Sequence, residues 1–395
     1  MPKDFSNYEG GREHTYVKHY LLEKYLSRWG YKIGSTWDTL VFIDGFAGPW
    51  GAKDDEFADA SFGIAIKALN DAVDGLLKVR QRSVRGVCVF VEKAPKPFAK
   101  LDAFARNHST DRVRAKAMKG RFVENIQAID EYVASAGANP FKFVFLDQKG
   151  WAATPMEKLK PFVSRRPCEL LFNLMTSFLP RFVEREDLAS SYHALYGRPG
   201  VLDKIRALPK GTGQREEVAV DEYCRSLREI CHFQYVSQAV IMDSTKEKIR
   251  YYLVFATNSL HGIEVFKQAE MEAAKAQNEV RHEKQIKKTN QTAFMFDGVP
   301  PQSPKMLQLY QHNAKRARRK IIQILIDSSA NVLPYKELYG EAMAFPLVTP
   351  QDLQEWIIDL RAKGGLKILW DGANRKKLSW SKNDSIVVTN SQLLR

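Results

Sequence analysis

The run Val41-Phe-Ile-Asp-Gly-Phe-Ala-Gly-Pro-Trp-Gly51 decides the fold. An apolar segment, Thr39 to Asp44, ends in a carboxylate and breaks into Gly45, Gly48 and Gly51, with Phe46, Ala47, Pro49 and Trp50 between them. A buried strand that stops at an acid and turns sharply opens the ligand loop of a doubly wound α/β domain, because glycines let the backbone turn tightly and approach a bound molecule. The spacing is not the G-x-G-x-x-G of dinucleotide sites, and a β-to-α turn without a ligand fits it equally well.

Working outward, Leu22, Leu26 and Trp29 fall at i, i+4 and i+7 and predict a helix from His14 to Trp29. Helices are predicted at Ser61–Leu77, Pro97–His108, Ile126–Ala136 and Pro155–Phe162. Between them lie strands at Gly86–Glu92, Arg121–Val123, Phe141–Asp147 and Cys168–Met175. Mostly continuous apolar strands separated by helices predict a Rossmann-like, doubly wound parallel sheet covered on both faces. A polar helical insertion, 181–232, is broken at Gly197–Gly200 and Pro209–Gly213. Phe233–Met242 and Ile249–Thr257, joined by a polar turn, predict a hairpin that closes the sheet with an antiparallel last strand.

Residues 262–292 are rich in Glu, Lys, Gln and Ala without a wide apolar stripe, the pattern of a solvated connector helix. The breakers Asp297-Gly-Val-Pro-Pro-Gln-Ser-Pro304 mark a linker over 297–314 and end the first domain at 296. Residues 315–395 hold 14 lysines and arginines against 8 acids. They read as a helix from Lys315, a second from Thr349 with an acidic capping box to Asp352, and a hairpin of Leu366–Trp370 with Lys377–Trp380. That order predicts a winged-helix-like module with Gln351–Leu360 in the recognition position.

Composition narrows the partners. The 395 residues carry 60 Lys+Arg against 46 Asp+Glu, a net charge of +14, and a pI near 9.4, which fits a phosphate-bearing partner such as nucleic acid. Basic runs at Arg80–Arg85, Arg112–Lys119, Lys315–Lys320 (Arg316, Arg318 and Arg319 within it) and Arg375-Lys376-Lys377 are candidate backbone contacts, although any one run is also the pattern of a solvated face. No apolar run approaches the ~18 residues of a membrane span, and the N-terminus lacks a signal-peptide core, so a cytoplasmic location is expected. Cys88, Cys168, Cys224 and Cys231 have no paired metal-site spacing, and His193, His232 and His261 are isolated, so no metal is expected.

Two further strand ends carry acids. Glu92, after the second strand, can accept hydrogen bonds from two ribose hydroxyls. Asp147, followed by Gln148 and, three residues on, Trp151, can accept a proton or hydrogen bond from an amine, while the indole can stack on a displaced base. A charged strand cap and a sheet-covering tryptophan are the plain structural alternatives.

Taken together the chain resembles the three-Cys-motif partner proteins (TcmP), class I methyltransferase-like proteins. The likeness rests on Lys18–Leu26, Ile43–Trp50, Asp59–Ala65, Phe145–Trp151, Leu171–Met175 with Arg181-Phe182, and Leu253–Asn258 with Gly262–Phe266. It implies S-adenosylmethionine as cofactor, held by Asp44, Gly45, Phe46, Ala47, Gly48, Pro49, Glu92 and, near the adenine, Asn125. It further implies Asp147, Gln148 and Trp151 at the acceptor, and a three-Cys-motif protein partner. Two residues depart from the family's pattern: Asp147-Gln148 stands where Asp-Pro is usual, so that Gln148 replaces the proline, and Arg121 stands where an acid often precedes the adenine. The resulting expectation is an S-adenosylmethionine-dependent methyltransferase acting on a base amine of RNA or DNA. The alternatives are an inactive methyltransferase-shaped binding protein and a defence component that senses another nucleotide.

Overall fold

The computed structural model describes residues 8, 12–48, 57, 59–165, 167–176, 182–289, 303–328, 332–372 and 377–394. Seven strands form one sheet: β1 Thr39–Asp44, β2 Arg85–Glu92, β3 Val113–Lys119, β4 Pro140–Leu146, β5 Cys168–Leu174, β6 Tyr235–Met242 and β7 Ile249–Thr257. Their order is β3-β2-β1-β4-β5-β7-β6. The first five are parallel, and β7 runs antiparallel to both β5 and β6. This mixed α/β sheet fits a Rossmann-like methyltransferase fold.

Alternation along each strand divides two cores. Leu40, Phe42, Cys88, Phe90, Phe143 and Phe145 pack on one face; Val41, Ile43, Val87, Val89, Val144 and Leu146 pack on the other. The aromatic face is covered by α1 Glu13–Gly34, α2 Ser61–Arg80 and α3 Pro95–Asn107. There Tyr25 stacks on Phe143 with centroids 5.2 Å apart. The aliphatic face is covered by α4 Phe122–Ala136, α5 Met156–Val163, α6 Ala189–Tyr196, α7 Val201–Arg206 and α8 Gln214–Glu229. The last three are separated near the glycine-rich breaks expected from sequence.

Several expectations change. The third strand is Val113–Lys119, and Arg121–Val123 instead begins α4. As an edge strand, β3 carries exposed Arg114, Lys116 and Lys119 among small residues, so it lacks the apolar run that marks its neighbours. The long helix α9, Leu260–Thr289, is not solvated: Ile263, Phe266, Ala269, Ala273, Ala276 and Val280 are buried. Two of its charges are buried as a pair. Lys267 and Glu270 bind each other, Lys267 donates to Phe345 O at 3.0 Å, and Glu270 accepts from Leu347 N–H at 2.8 Å. Finally, the partner of β9 (Leu366–Leu369) is β10, Ser385–Val388, not 377–380, where Trp380–Lys382 is a 3-10 turn.

Before β9 lie α10 Pro304–Asp327, β8 Val332–Pro334, α11 Tyr335–Ala342 and α12 Pro350–Ala362. Helix α10 is capped by Ser303, so residues 304–314 of the expected linker are helical, while 297–302 lie outside the described residues. β8, β10 and β9 form a three-stranded antiparallel sheet. The Thr349–Asp352 capping box is present. Ala317, Ile321, Tyr335, Leu338 and Ile357 join the same buried cluster as the aromatic face of the large sheet.

Candidate functional site

The chain reverses direction across the sheet between β1 and β4, so the carboxyl ends of these strands form the crevice where doubly wound sheets bind ligands. At the end of β1, Asp44 is fully buried. Its Oδ1 accepts from Phe46 N–H at 3.0 Å and its Oδ2 accepts from Ser61 Oγ at 2.6 Å. Burial pushes its carboxyl up to about 7 against those two hydrogen bonds. Each oxygen thus accepts one hydrogen bond from within the protein, and these two bonds tie Asp44 to the loop and to the first turn of α2.

Gly45 N–H donates to Phe145 O at 3.0 Å, Ala47 N–H to Val91 O at 2.9 Å, and Gly48 N–H to Phe46 O at 2.9 Å. The loop is thereby laid across the end of β2. A Cβ on Gly45 would lie 2.6 Å from Leu146 Cδ2 and 2.9 Å from Phe122 Cδ2, so packing alone demands glycine there. Phe46 is half-buried, 6.4 Å from the Phe122 ring, and Ala47 is buried. Pro49 lies outside the described residues.

Glu92, 5% exposed at the end of β2, accepts from Ala94 N–H through Oε1 at 2.6 Å. Asn125, on the first turn of α4, donates to Lys119 O at 3.3 Å and Arg121 O at 2.9 Å. It thus closes the β3–α4 turn, in which Gly120 takes φ +127°. Arg121 is exposed and paired only loosely with Glu124, at 3.9 Å. A groove of about 500 Å³ runs between β3 and α4, lined by Asn125, Lys116, Lys119, Glu131 and Tyr132 among others. It faces the sheet edge.

Beyond β4, Asp147 is 23% exposed and ion-paired with Lys18 of α1, and it accepts from Asn173 Nδ2 at 2.6 Å. Burial alone would push this carboxyl up, but the Lys18 ammonium and the hydrogen bond from Asn173 hold it below the ordinary carboxylate value. His19 lies beside them, its Nδ1 2.8 Å from Asp59 O, and burial drops it to about 3, so it is neutral. Gln148 is 0% exposed and neither amide atom has a partner among the described residues. Trp151 Nε1 donates to Ser191 Oγ at 2.9 Å and the ring stacks on Tyr192 at 5.2 Å. The indole is therefore already employed in packing α6.

Sequence spacing gave no role to Lys18, Ser61 or Asn173. Each comes from a distant segment, and only their presence in the stretches carrying the family resemblance hinted at them. In the C-terminal segment, Arg316 pairs with Glu217 and Asp221 of α8 and lies over Phe345, while Arg318 pairs with Asp359. Arg319 and Lys377 are exposed, and Arg375 and Lys376 lie outside the described residues. No group of metal-binding side chains occurs among the described residues. No described helix is long and apolar enough to cross a membrane.

No family model matches the chain, and no curated protein does. Among solved structures the chain is similar to "Loganic acid methyltransferase with SAH", at 9% identity over 71% of this chain and 92% of that one, with a TM-score of 0.29. A likeness at that level carries no argument about function, and the fold assignment rests on strand order and direction.

Proposed function

We propose that the chain is a methyltransferase that binds S-adenosylmethionine beyond β1 and β2 and methylates a nitrogen of nucleic acid presented at β4. The observation that carries this reading is the strand order with its single antiparallel strand, which puts Glu92 and Asp147 on opposite sides of the switch point. The residues fit the cofactor in part: Glu92, with Oε1 fixed by Ala94 N–H, is placed to accept from ribose hydroxyls. Gly45, Phe46 and Ala47 supply the loop, and Asp44 holds that loop. Bound S-adenosylmethionine supplies a methyl group on a positively charged sulfur, so the protein's task is alignment.

At the acceptor side Asp147 is a hydrogen-bond acceptor held in place by Lys18 and Asn173. Because Lys18 keeps it ionised, it orients an amine and receives only a proton that the acceptor has already made acidic. Exposed Arg114, Lys116 and Lys119 on β3, with Lys315, Arg319 and Lys320 on α10, support contact with a phosphate backbone. The order α10, β8, α11, α12, β9, β10 is that of a winged helix, which supports reading 315–395 as the module that engages the duplex.

Calorimetry tests the reading: one equivalent of S-adenosylmethionine bound, at least tenfold more weakly by Glu92→Ala. No binding by the wild-type chain rejects it. A second reading, a cofactor-binding protein without transfer, is favoured by the Lys18–Asp147 pair, which already neutralises the acid that follows β4. Tritium transfer to RNA or DNA that disappears in Asp147→Ala decides between them.

A further inference from the structure

At the end of the sheet opposite the crevice, where β2 and β3 begin, lies a second cavity of about 190 Å³. Its walls are Arg85 and Val87 of β2, Asp111, Arg112 and Arg114 around the start of β3, and Ala136 at the end of α4. Strand β2 runs eight residues from Arg85 to Glu92, so the cavity is about 23 Å from the proposed ribose contact and is a separate site.

The cavity is lined from two strands. Side chains alternate across a strand, and Val87 joins the aliphatic core, so Arg85, two residues before it, leaves the same face. Val87 is the register partner of Arg114, which puts Arg114 on that face too. Neighbouring arginines with a structural task have partners. Arg82 donates to Asp38 at 2.9 Å and to Gly34 O at 2.7 Å, and Arg112 pairs with Asp74 at 2.7 Å. Arg85 and Arg114 are exposed and differ. Among the described residues no carboxylate, Asp111 on the rim included, lies within 4.0 Å of either guanidinium, and neither donates to a carbonyl in the last turn of α4. Two like charges gathered at adjacent positions of a sheet repel, and an anion held between them removes that cost.

We infer that this cavity binds a phosphate monoester. Each guanidinium presents a planar fork of N–H donors that matches two phosphate oxygens. A monoester has three free oxygens and close to two negative charges at neutral pH, enough to engage both forks, whereas a carboxylate brings two oxygens and one charge. Buried Val87 and Ala136 close the cavity from behind, so the group enters end-on, as a terminal phosphate does and a diester inside a chain does not. The phosphate is that of a free sugar or nucleoside phosphate, or the phosphorylated end of a nucleic acid. This site goes beyond the proposed function and does not depend on methyl transfer.

Calorimetry on the full chain compares two pairs that differ by one phosphate. They are ribose 5-phosphate with ribose, and a 5′-phosphorylated thymidine hexamer with the same hexamer ending in a 5′-hydroxyl. The phosphorylated member of at least one pair is expected to bind tenfold or more tightly at pH 7.5, and the preference to shrink at pH 5, where the monoester carries a single charge. A preference in the sugar pair assigns the site to a free phosphate, and one confined to the hexamers assigns it to a strand end. Arg85→Gln combined with Arg114→Gln removes the preference and leaves S-adenosylhomocysteine affinity within twofold. Arg114→Lys, which keeps the charge and loses the fork, weakens the phosphorylated member at least threefold. Equal binding within both pairs overturns the inference, as does a preference that survives the double substitution or an Arg114→Lys chain that binds as tightly as wild type. A chain that binds no S-adenosylmethionine yet keeps the preference loses the proposed function and retains this site.

Discussion

Lys18 on the first helix and Asp147 beyond β4, 129 residues apart in the chain, form an ion pair that fastens α1 across the mouth of the sheet. Removing only the cation strands a carboxylate in a poorly hydrated corner. Lys18→Met is therefore expected to cost about 1.5–3 kcal/mol, while Lys18→Met with Asp147→Asn recovers much of the loss. Urea unfolding of the two singles and the double measures the coupling, and purely additive losses would show that the pair contributes nothing.

Glu169, buried on β5, accepts from Tyr25 Oη at 2.7 Å and Thr257 Oγ1 at 2.8 Å, and burial pushes it up to about 7. The unfolded chain releases this proton near the ordinary value of 4.5, so between there and 7 the folded state holds more protons. Its contribution to stability therefore falls as pH rises, by at most about 1.4 kcal/mol per pH unit. Buried His19 works in the opposite direction below its ordinary value, so the useful quantity is a difference. The stability of Glu169→Gln relative to wild type should improve from pH 5 to about pH 7 and level off by pH 8, read by thermal melts.

Gly45→Ala places a methyl group on Leu146 and Phe122. The expected loss is about 1–3 kcal/mol from overpacking, accompanied by weaker cofactor binding because the loop above β1 is displaced. Denaturant midpoints and calorimetry on one preparation measure both.

Trp151→Phe keeps a ring against Tyr192 and gives up one hydrogen bond to Ser191. A loss of about 1 kcal/mol is expected, with methyl transfer unchanged within twofold. A hundredfold fall in rate without unfolding would return the indole to the acceptor site.

Arg316→Ala and Arg319→Ala separate architecture from binding. The first removes the pairs to Glu217 and Asp221 and should lower the melting temperature. The second should leave stability unchanged and reduce the salt dependence of nucleic-acid binding by about 0.9 in log–log slope. Equal slopes for wild type and Arg319→Ala would remove that arginine from the interface.

The central strands were legible because β1, β2, β4 and β5 are buried on both faces and have to be apolar throughout. Edge strand β3 was not, since one side meets water and its cations interrupt the pattern. Helix α9 misled for a different reason: Lys267 and Glu270 look solvated one at a time and become buried only because each neutralises the other. At the candidate site, Asp44, Glu92 and Asp147 announced themselves by ending strands. Their partners Ser61, Lys18 and Asn173 did not, because contacts between distant segments leave no period in a sequence.

The Lys267–Glu270 pair has a mechanical meaning as well. It grips the segment before α12 by one carbonyl, at Phe345, and one N–H, at Leu347, so pulling that segment away from α9 costs the buried ion pair two hydrogen bonds. The C-terminal helices are thus carried at a fixed bearing from the strand ends. Whatever they hold is measured off against the crevice as by a rigid ruler, and the distance between the two engaged positions on a partner would be set by the protein rather than by the partner.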